Sequence, residues 1–467
     1  MEQTMEQTMK NQLNIILIDR SLDYIEHILT NTKWEIACLV IEKKDSKAIF
    51  ANHQRIKKIV YYDDLFCIHQ QNNIDLNIIE KMRDIQLDCE TTMHRCFHDN
   101  TLAKYFYYSH LSFFLKIFQS TQLDFILCTE TNLGVPSVTI PLGLAKLYNI
   151  PAYTIDPDSA FNTLYKYNQE KYIRSIKNFH ISIEKKMYAH YDFSKKIKYS
   201  FLKEFFYNNL NKIGGQLLVE FFVCIFHFNF CYYERLGVHF NFWSKLRSYL
   251  NFKKAMYFYN KNSITPNLKE KFIYFSLHVE PEAVILARVG LDNQLLLIKM
   301  LSDAIPKDWY IYVKEHPHQN KINNRECSYM INNIDYFKSK NFYKEITKLN
   351  NVKLINIQTS SRELMLNSQA VASIGGSISI EAWKNHKMAI NFCPKQTFSS
   401  FLGNSLGVEN SNDLQKAIET IINQRSNMYC CEKDIVKMET YLFPKDKQEI
   451  PIVLNTILED IKENSCK

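Results

Sequence analysis

The strongest constraint on this chain is a rhythm that occurs twice. Short runs rich in Ile and Val are each followed by a helix-like segment. Leu13–Asp19, Trp34–Ile41, Lys58–Tyr62, Leu123–Thr129 and Pro151–Ile155 form the first series, with Pro141–Tyr148 as a short crossover helix. Lys271–Ser276, Trp309–Lys314, Val352–Asn356, Ala370–Ile374 and Met388–Phe392 form the second. Asp292–Ile305, Ser361–Asn367 and Ser379–His386 are the helices between them. Runs of this length with both faces apolar suit buried parallel strands, and the alternation places helices on both faces of each sheet. The class is therefore α/β. A chain of 467 residues is too long for one core and comfortable for two doubly wound halves.

Between the two series the alternation is lost and basic and aromatic residues take over. From Tyr165 to Lys254 sixteen Lys and Arg stand against six Asp and Glu, within a formal net charge of +8. This predicts a helical insertion whose surface is either a solvated face or a contact for anionic lipid or a lipid-linked acceptor. No nucleic-acid recognition motif accompanies the charge. The expected division is a disordered start at 1–10, a first domain at 11–160, the insertion at 161–265, a second domain at 266–425 and C-terminal helices at 426–467. The 12 cysteines include no CxxC pair, which favours a reducing compartment. The start lacks the apolar core of a secretory signal, and Leu217–Tyr233 is interrupted by Glu220, His227 and Asn229. These features predict a chain that neither carries a leader nor spans a membrane.

Chemistry-bearing residues cluster where the second series of strands ends. In Tyr312–Gln319, Pro317 stops a strand and leaves His316 at the rim, with Lys314 before it. An imidazole there can donate to a phosphate oxygen or protonate a leaving group, and the ammonium can add charge against the same phosphate. A His-Pro pair is also a common structural turn. In Ala370–Ala382 an apolar strand runs into Gly375 and Gly376, then Ser377, Ser379 and Glu381 at the start of a helix. Paired glycines let the backbone approach a ligand, and first-turn N–H groups suit an anion. Glu381 can hold ribose hydroxyls or simply favour the helix dipole. Neither a dinucleotide GxGxxG nor a Walker A loop is present. Ser360 and Glu363 have capping-box spacing, with Ser360 and Ser361 as alternative rim donors. In Phe275–Glu282, Glu282 is a candidate base or nucleophile and His278 a candidate phosphate or sugar-acid contact, unless the segment is only a solvated loop. Glu130, after the strand Leu123–Thr129, is a candidate acceptor-side base or a solvated loop carboxylate. Asp156-Pro-Asp158 reads as a turn rather than a metal site.

Tyr274–Glu282, Trp309–Gln319 and Ser373–Phe392 together resemble the bacterial capsule polysaccharide biosynthesis glycosyltransferases, a group that includes the Kdo transferases and is distantly similar to bacterial sialyltransferases with His-Pro motifs. The likeness covers about 130 residues, with three motifs in matching order. It implies a GT-B fold of two Rossmann-like domains and transfer from a nucleotide-activated sugar, often CMP-linked, without a bound metal or other cofactor. It would place His316 at the donor phosphate or as acid, and Gly375, Gly376, Ser377 and Ser379 along the nucleotide. His278 and Glu282 stand where the Kdo enzymes carry Gln and Asp, so the donor sugar and the stereochemical outcome stay open. The expected partners are a nucleotide-sugar donor and a glycan or lipid-linked glycan acceptor. The expected place is the cytoplasm, peripheral at the inner face of an anionic membrane. A CDP-polyol phosphotransferase and a non-catalytic polysaccharide assembly or export partner are the alternatives.

Overall fold

The computed structural model describes residues 12–19, 22–41, 53–61, 75–94, 100–129, 134–157, 161–176, 242–280, 293–317, 319, 337–375, 378–394, 402–423, 434, 439–444 and 450–465. Both series fold as expected, each into a parallel sheet covered on two faces. In the first, β1 (Asn14–Ile18), β2 (Glu35–Ile41), β3 (Ile59–Tyr61), β4 (Phe125–Cys128) and β5 (Ala152–Pro157) lie in the order β3-β2-β1-β4-β5. Helices α1 (Asp23–Asn31), α2 (Leu76–Lys81), α3 (Arg83–Met93), α4 (Asn100–Ser120) and α5 (Pro136–Leu147) accompany them. Ile15 and Leu17 pack toward α1 while Ile16 and Ile18 pack toward α4 and α5, the period-2 consequence of a strand buried on both sides.

Helix α5 begins earlier than the expected Pro141–Tyr148. Pro136 takes the first helical position, where its missing N–H costs nothing, and Pro141 lies inside the helix. The insertion expected at 161–265 needs correction at both ends. It opens with β6 (Phe161–Lys166) and β7 (Lys171–Tyr172), antiparallel additions to the first sheet. It closes with α6 (Phe242–Asn262), whose Phe252, Ala255, Met256 and Tyr259 sit in the core of the second half. Residues 177–241, with the Leu217–Tyr233 run, lie outside the described residues, as does the start at 1–10.

The second sheet contains β8 (Phe272–Ser276), β9 (Tyr310–Lys314), β10 (Val352–Ile355), β11 (Ala370–Ser373), β12 (Met388–Asn391) and β13 (Ser405–Gly407). Their order is β10-β9-β8-β11-β12-β13, with every pair parallel. Helices α7 (Gln294–Ala304), α8 (Lys340–Ile346) and α11 (Ser411–Asn423) join α6 on one face, against Ile273, Phe275, Ile311 and Val313. Helices α9 (Ser361–Asn367) and α10 (Ile378–Lys384) cover the other, against Phe272, Tyr274, Tyr312 and Val371. Asn293 caps α7 by accepting from the Leu296 amide at 3.1 Å, and Leu297, Ile298 and Leu301 form its buried stripe.

The segment 426–467, expected as helices alone, also supplies a strand. β14 (Leu442–Pro444) pairs antiparallel with β6 at the edge of the first sheet, and α12 (Ile450–Ser465) packs Ile450, Val453, Leu454, Ile457 and Leu458 on that sheet's core. The chain thus makes two doubly wound α/β halves and returns to the first at its C-terminal end, a GT-B-like layout.

Candidate functional site

In each sheet the chain builds outward in one direction and then crosses to the other side of its first strand. The helices on either side of that switch lie on opposite faces, which opens a crevice beyond the carboxyl ends of the strands. In the second sheet the switch falls between β8 and β11. Phe275 pairs with Val313 on one side and Ala372 on the other. The segments that follow, carrying His278, His316 and Gly375, therefore leave the sheet along one edge.

Alternation along β9 sends Lys314 toward α9. Lys314 is 1% exposed, and its Nζ donates to Ser361 Oγ at 2.9 Å. The Tyr274 hydroxyl donates to the same oxygen at 3.2 Å. Among the described residues no carboxylate lies within ion-pair distance of this ammonium. Burial pushes its pKa below the ordinary lysine value, opposed by the charge of Glu315. An ammonium taken out of water without a counter-charge is costly, so this corner is electrostatically suited to an anion. Glu381, part-buried on α10, has its carboxyl raised by burial, with Lys384 and Arg362 pulling it down. Its charge also reaches the Tyr274 hydroxyl. Lys314 and Ser361 are therefore gathered at the Tyr274 hydroxyl, on the sheet face that α10, the helix of Glu381, also covers. Ser379 lies in the same helix as Glu381, fully buried, and its hydroxyl has no hydrogen-bond partner among the described residues. Gly375 has φ 145, a conformation that only glycine adopts readily.

Ser360 is used differently. Its Oγ accepts the Glu363 amide at 3.3 Å and caps α9, the structural half of its two readings.

His278 and His316 are held from the opposite face of the sheet by a network that sequence reasoning missed. Glu315, beside Lys314 in the chain, is fully buried. Its Oε1 accepts Lys338 Nζ at 3.1 Å and the His316 amide at 2.8 Å. Its Oε2 accepts the Tyr343 hydroxyl, and its own amide donates to the Tyr259 hydroxyl at 2.9 Å. Lys338 Nζ also donates to the His278 carbonyl at 2.7 Å. Gln294 accepts the His278 amide at 2.8 Å and donates to Glu280. Gln319 exchanges two 2.9 Å bonds with the Glu280 main chain. Burial pushes the Glu280 carboxyl up, and the Lys338 charge and Gln294 partly counter it. One signal in the sequence pointed this way: successive strand residues face opposite sides, so Glu315 could not share the face of Lys314.

Four of the sequence candidates, Glu130, Glu282, Gly376 and Ser377, lie outside the described residues. At the corresponding switch of the first sheet, Asp19 is fully buried at the end of β1. It accepts from the Thr129 hydroxyl and the Ile25 amide, both at 2.9 Å. Asp156 and Pro157 fall within β5, paired with Thr163 and Asn162 of β6, and Asp158 lies outside the described residues.

No protein-family model matches the chain, and no curated protein matches it in sequence. Solved structures do overlay on it. The UDP-GlcNAc 2-epimerase of Methanocaldococcus jannaschii is 16% identical over 95% of this chain and 99% of its own, with a TM-score of 0.26. KpsC of Thermosulfurimonas dismutans, a beta Kdo 2,7 transferase, is 14% identical over 74% and 89%, with a TM-score of 0.30. The lipopolysaccharide outer core galactosyltransferase WaaB is 10% identical over 96% and 100%, with a TM-score of 0.28. Overlays of this kind leave the chemistry to be read from the sheet edge itself.

Proposed function

We propose that the chain is a glycosyltransferase that moves a sugar from a nucleotide-activated donor to a surface or capsular glycan acceptor. One observation carries the donor site: the buried Lys314 ammonium, at the end of β9 one strand from the strand-order switch, has the Ser361 hydroxyl but no carboxylate as partner among the described residues. A donor phosphate supplies the missing counter-charge. The motif order that resembles the capsule glycosyltransferases supports the same reading.

In this mechanism an acceptor hydroxyl attacks the anomeric carbon and the bond from that carbon to the donor phosphate breaks. The electron pair leaves with the phosphate, where Lys314 and Ser361 meet the developing charge. His316 donates to the departing oxygen, and His278 contacts phosphate or the sugar acid group. Gly375, Gly376, Ser377 and Ser379 line the nucleotide, and Glu381 takes the ribose hydroxyls. Glu282 or Glu130 receives the acceptor proton or acts at the anomeric centre. The proposal includes transfer without a bound metal.

The acceptor is proposed to be lipid-linked and met at an anionic membrane surface on the cytoplasmic side. In support, the outward side of α6 carries Arg247, Lys253, Lys254 and Lys261 with exposed Leu250 and Tyr257, and the helix has no acidic residue. Among the described residues no helix is long and apolar enough to cross a membrane.

Thermal melting with CMP, CDP, UDP and GDP tests the donor site. At least one nucleotide is expected to raise the melting temperature of the native chain, and Lys314→Met is expected to lose that protection while remaining folded by circular dichroism. Equal protection in the variant removes Lys314 from the site. No protection of the native chain by any of the four overturns the reading.

A further inference from the structure

We infer that Lys338 is a positioning residue that clamps the two histidine-bearing turns of the donor site at a fixed separation. This rests on the donor-site reading above. The turn after β8 and the turn after β9 belong to different crossover units, and only their strands are tied by the sheet ladder. Beyond the ladder, two side chains join them: Gln319, which exchanges two 2.9 Å bonds with the Glu280 main chain, and Lys338, the one that acts at His278 itself. Lys338 Nζ reaches the His278 carbonyl at 2.7 Å and Glu315 Oε1 at 3.1 Å. That same carboxylate oxygen accepts the His316 amide at 2.8 Å. The path from His278 to His316 is therefore two hydrogen bonds and one ion pair, passing through the side chains of Lys338 and Glu315.

The clamp is built to be rigid. Lys338 and Glu315 side chains are both 0% exposed, so water neither screens the pair nor replaces it. Each carboxylate oxygen of Glu315 has a donor, Lys338 and His316 on one and Tyr343 on the other. Tyr259 fixes the Glu315 main chain from α6. Gln294 and Gln319 restrain the stretch from His278 to Glu280 from the remaining sides. Lys338 meets the His278 turn at its main-chain carbonyl and the His316 turn through the Glu315 carboxylate. Its role is therefore indirect: it sets where the two imidazoles stand relative to Lys314, and a displacement of about 1 Å at such a site costs up to about a hundredfold.

The test compares the native chain with Lys338→Met and with the double variant Glu315→Gln/Lys338→Met, which removes both buried charges. The probe is whichever of CMP, CDP, UDP or GDP protects the native chain most, titrated by calorimetry. Hydrogen exchange at the His316 amide is followed in parallel. Lys338→Met is expected to weaken nucleotide binding by about 10- to 100-fold and to speed exchange at His316. The double variant is expected to recover the melting temperature lost by the single one but not the affinity. An affinity that returns with the melting temperature shows a purely structural pair and overturns the inference. So does unchanged exchange at His316 in Lys338→Met. A native chain that binds none of the four nucleotides instead overturns the donor-site reading on which this role depends.

Discussion

Two adjacent serines show how finely function and structure are interleaved at the rim. Ser360 accepts the Glu363 amide and starts α9, whereas Ser361, next in the chain, turns its hydroxyl to Lys314 and Tyr274. Ser360→Ala is expected to lower stability by about 1 kcal/mol and to leave nucleotide affinity unchanged. Ser361→Ala is expected to lower stability by about 1–3 kcal/mol, because the Lys314 ammonium and the Tyr274 hydroxyl lose their acceptor, and also to weaken nucleotide binding about tenfold, the loss of one hydrogen bond to a charged group. Calorimetric melting and titration on both variants check this, and a reversal of the two effects on affinity would exchange their roles. Glu280 makes a prediction of a different kind. Burial raises its carboxyl above the ordinary value of 4.5, so the folded chain holds that proton more tightly than the unfolded one. The stabilisation is full below the ordinary value and is lost as pH rises through the raised one. Glu280→Gln, which cannot ionise, should therefore match the native chain near about pH 4 and melt higher at about pH 8. Identical melting of the two at the higher pH would refute the assignment. Lys314 and Ser361 were legible because they end a strand and start a helix. Lys338, Gln294 and Gln319 were not, because long polar side chains look the same in sequence whether they face water or reach a buried partner.

At the scale of elements, burial on both faces is what made the strands legible. β1, β2, β4, β8, β9 and β11 are short continuous apolar runs, and each falls inside the segment its sequence marks. The strands that escaped notice are edge or hairpin pieces. β7 and β13 are brief and partly exposed, and β6 alternates Asn162, Leu164 and Lys166 with Thr163 and Tyr165, so nothing in it resembles a central strand. Lys166 is the telling case. It reads as one more charge on a basic helix, yet it is 1% exposed and paired with Asp460, far along the chain. Local composition carries no trace of such a partner. The start of α5 was obscured by its second proline, since Pro141 looks like a first helical residue until Pro136 is seen to hold that place.

For the whole molecule, the return of the C-terminal segment ties residues far apart in the chain into one core. α12 lays its apolar stripe on the core of the first sheet, and Asp460 within it receives both the Lys166 ammonium and the Tyr153 hydroxyl, the latter at 2.6 Å. Residues 294 and 307 positions apart in the chain thus share one nearly buried charge cluster, and the first half cannot complete its core before α12 has been made. Asp460→Ala leaves Lys166 buried without a counter-charge, a change that costs about 3–5 kcal/mol. For a unit of this size that lowers the melting temperature by roughly 6–20 °C. The damage should be confined to the first half, because Lys314, Ser361 and the Lys338 cluster share no side chain with the α12 contact. Scanning calorimetry of Asp460→Ala is therefore expected to resolve an early transition, and a saturating nucleotide to move only the later one. A single transition at the native temperature would mean that α12 is held by its apolar face alone. A single transition shifted down as a whole would mean that the two halves unfold as one cooperative unit.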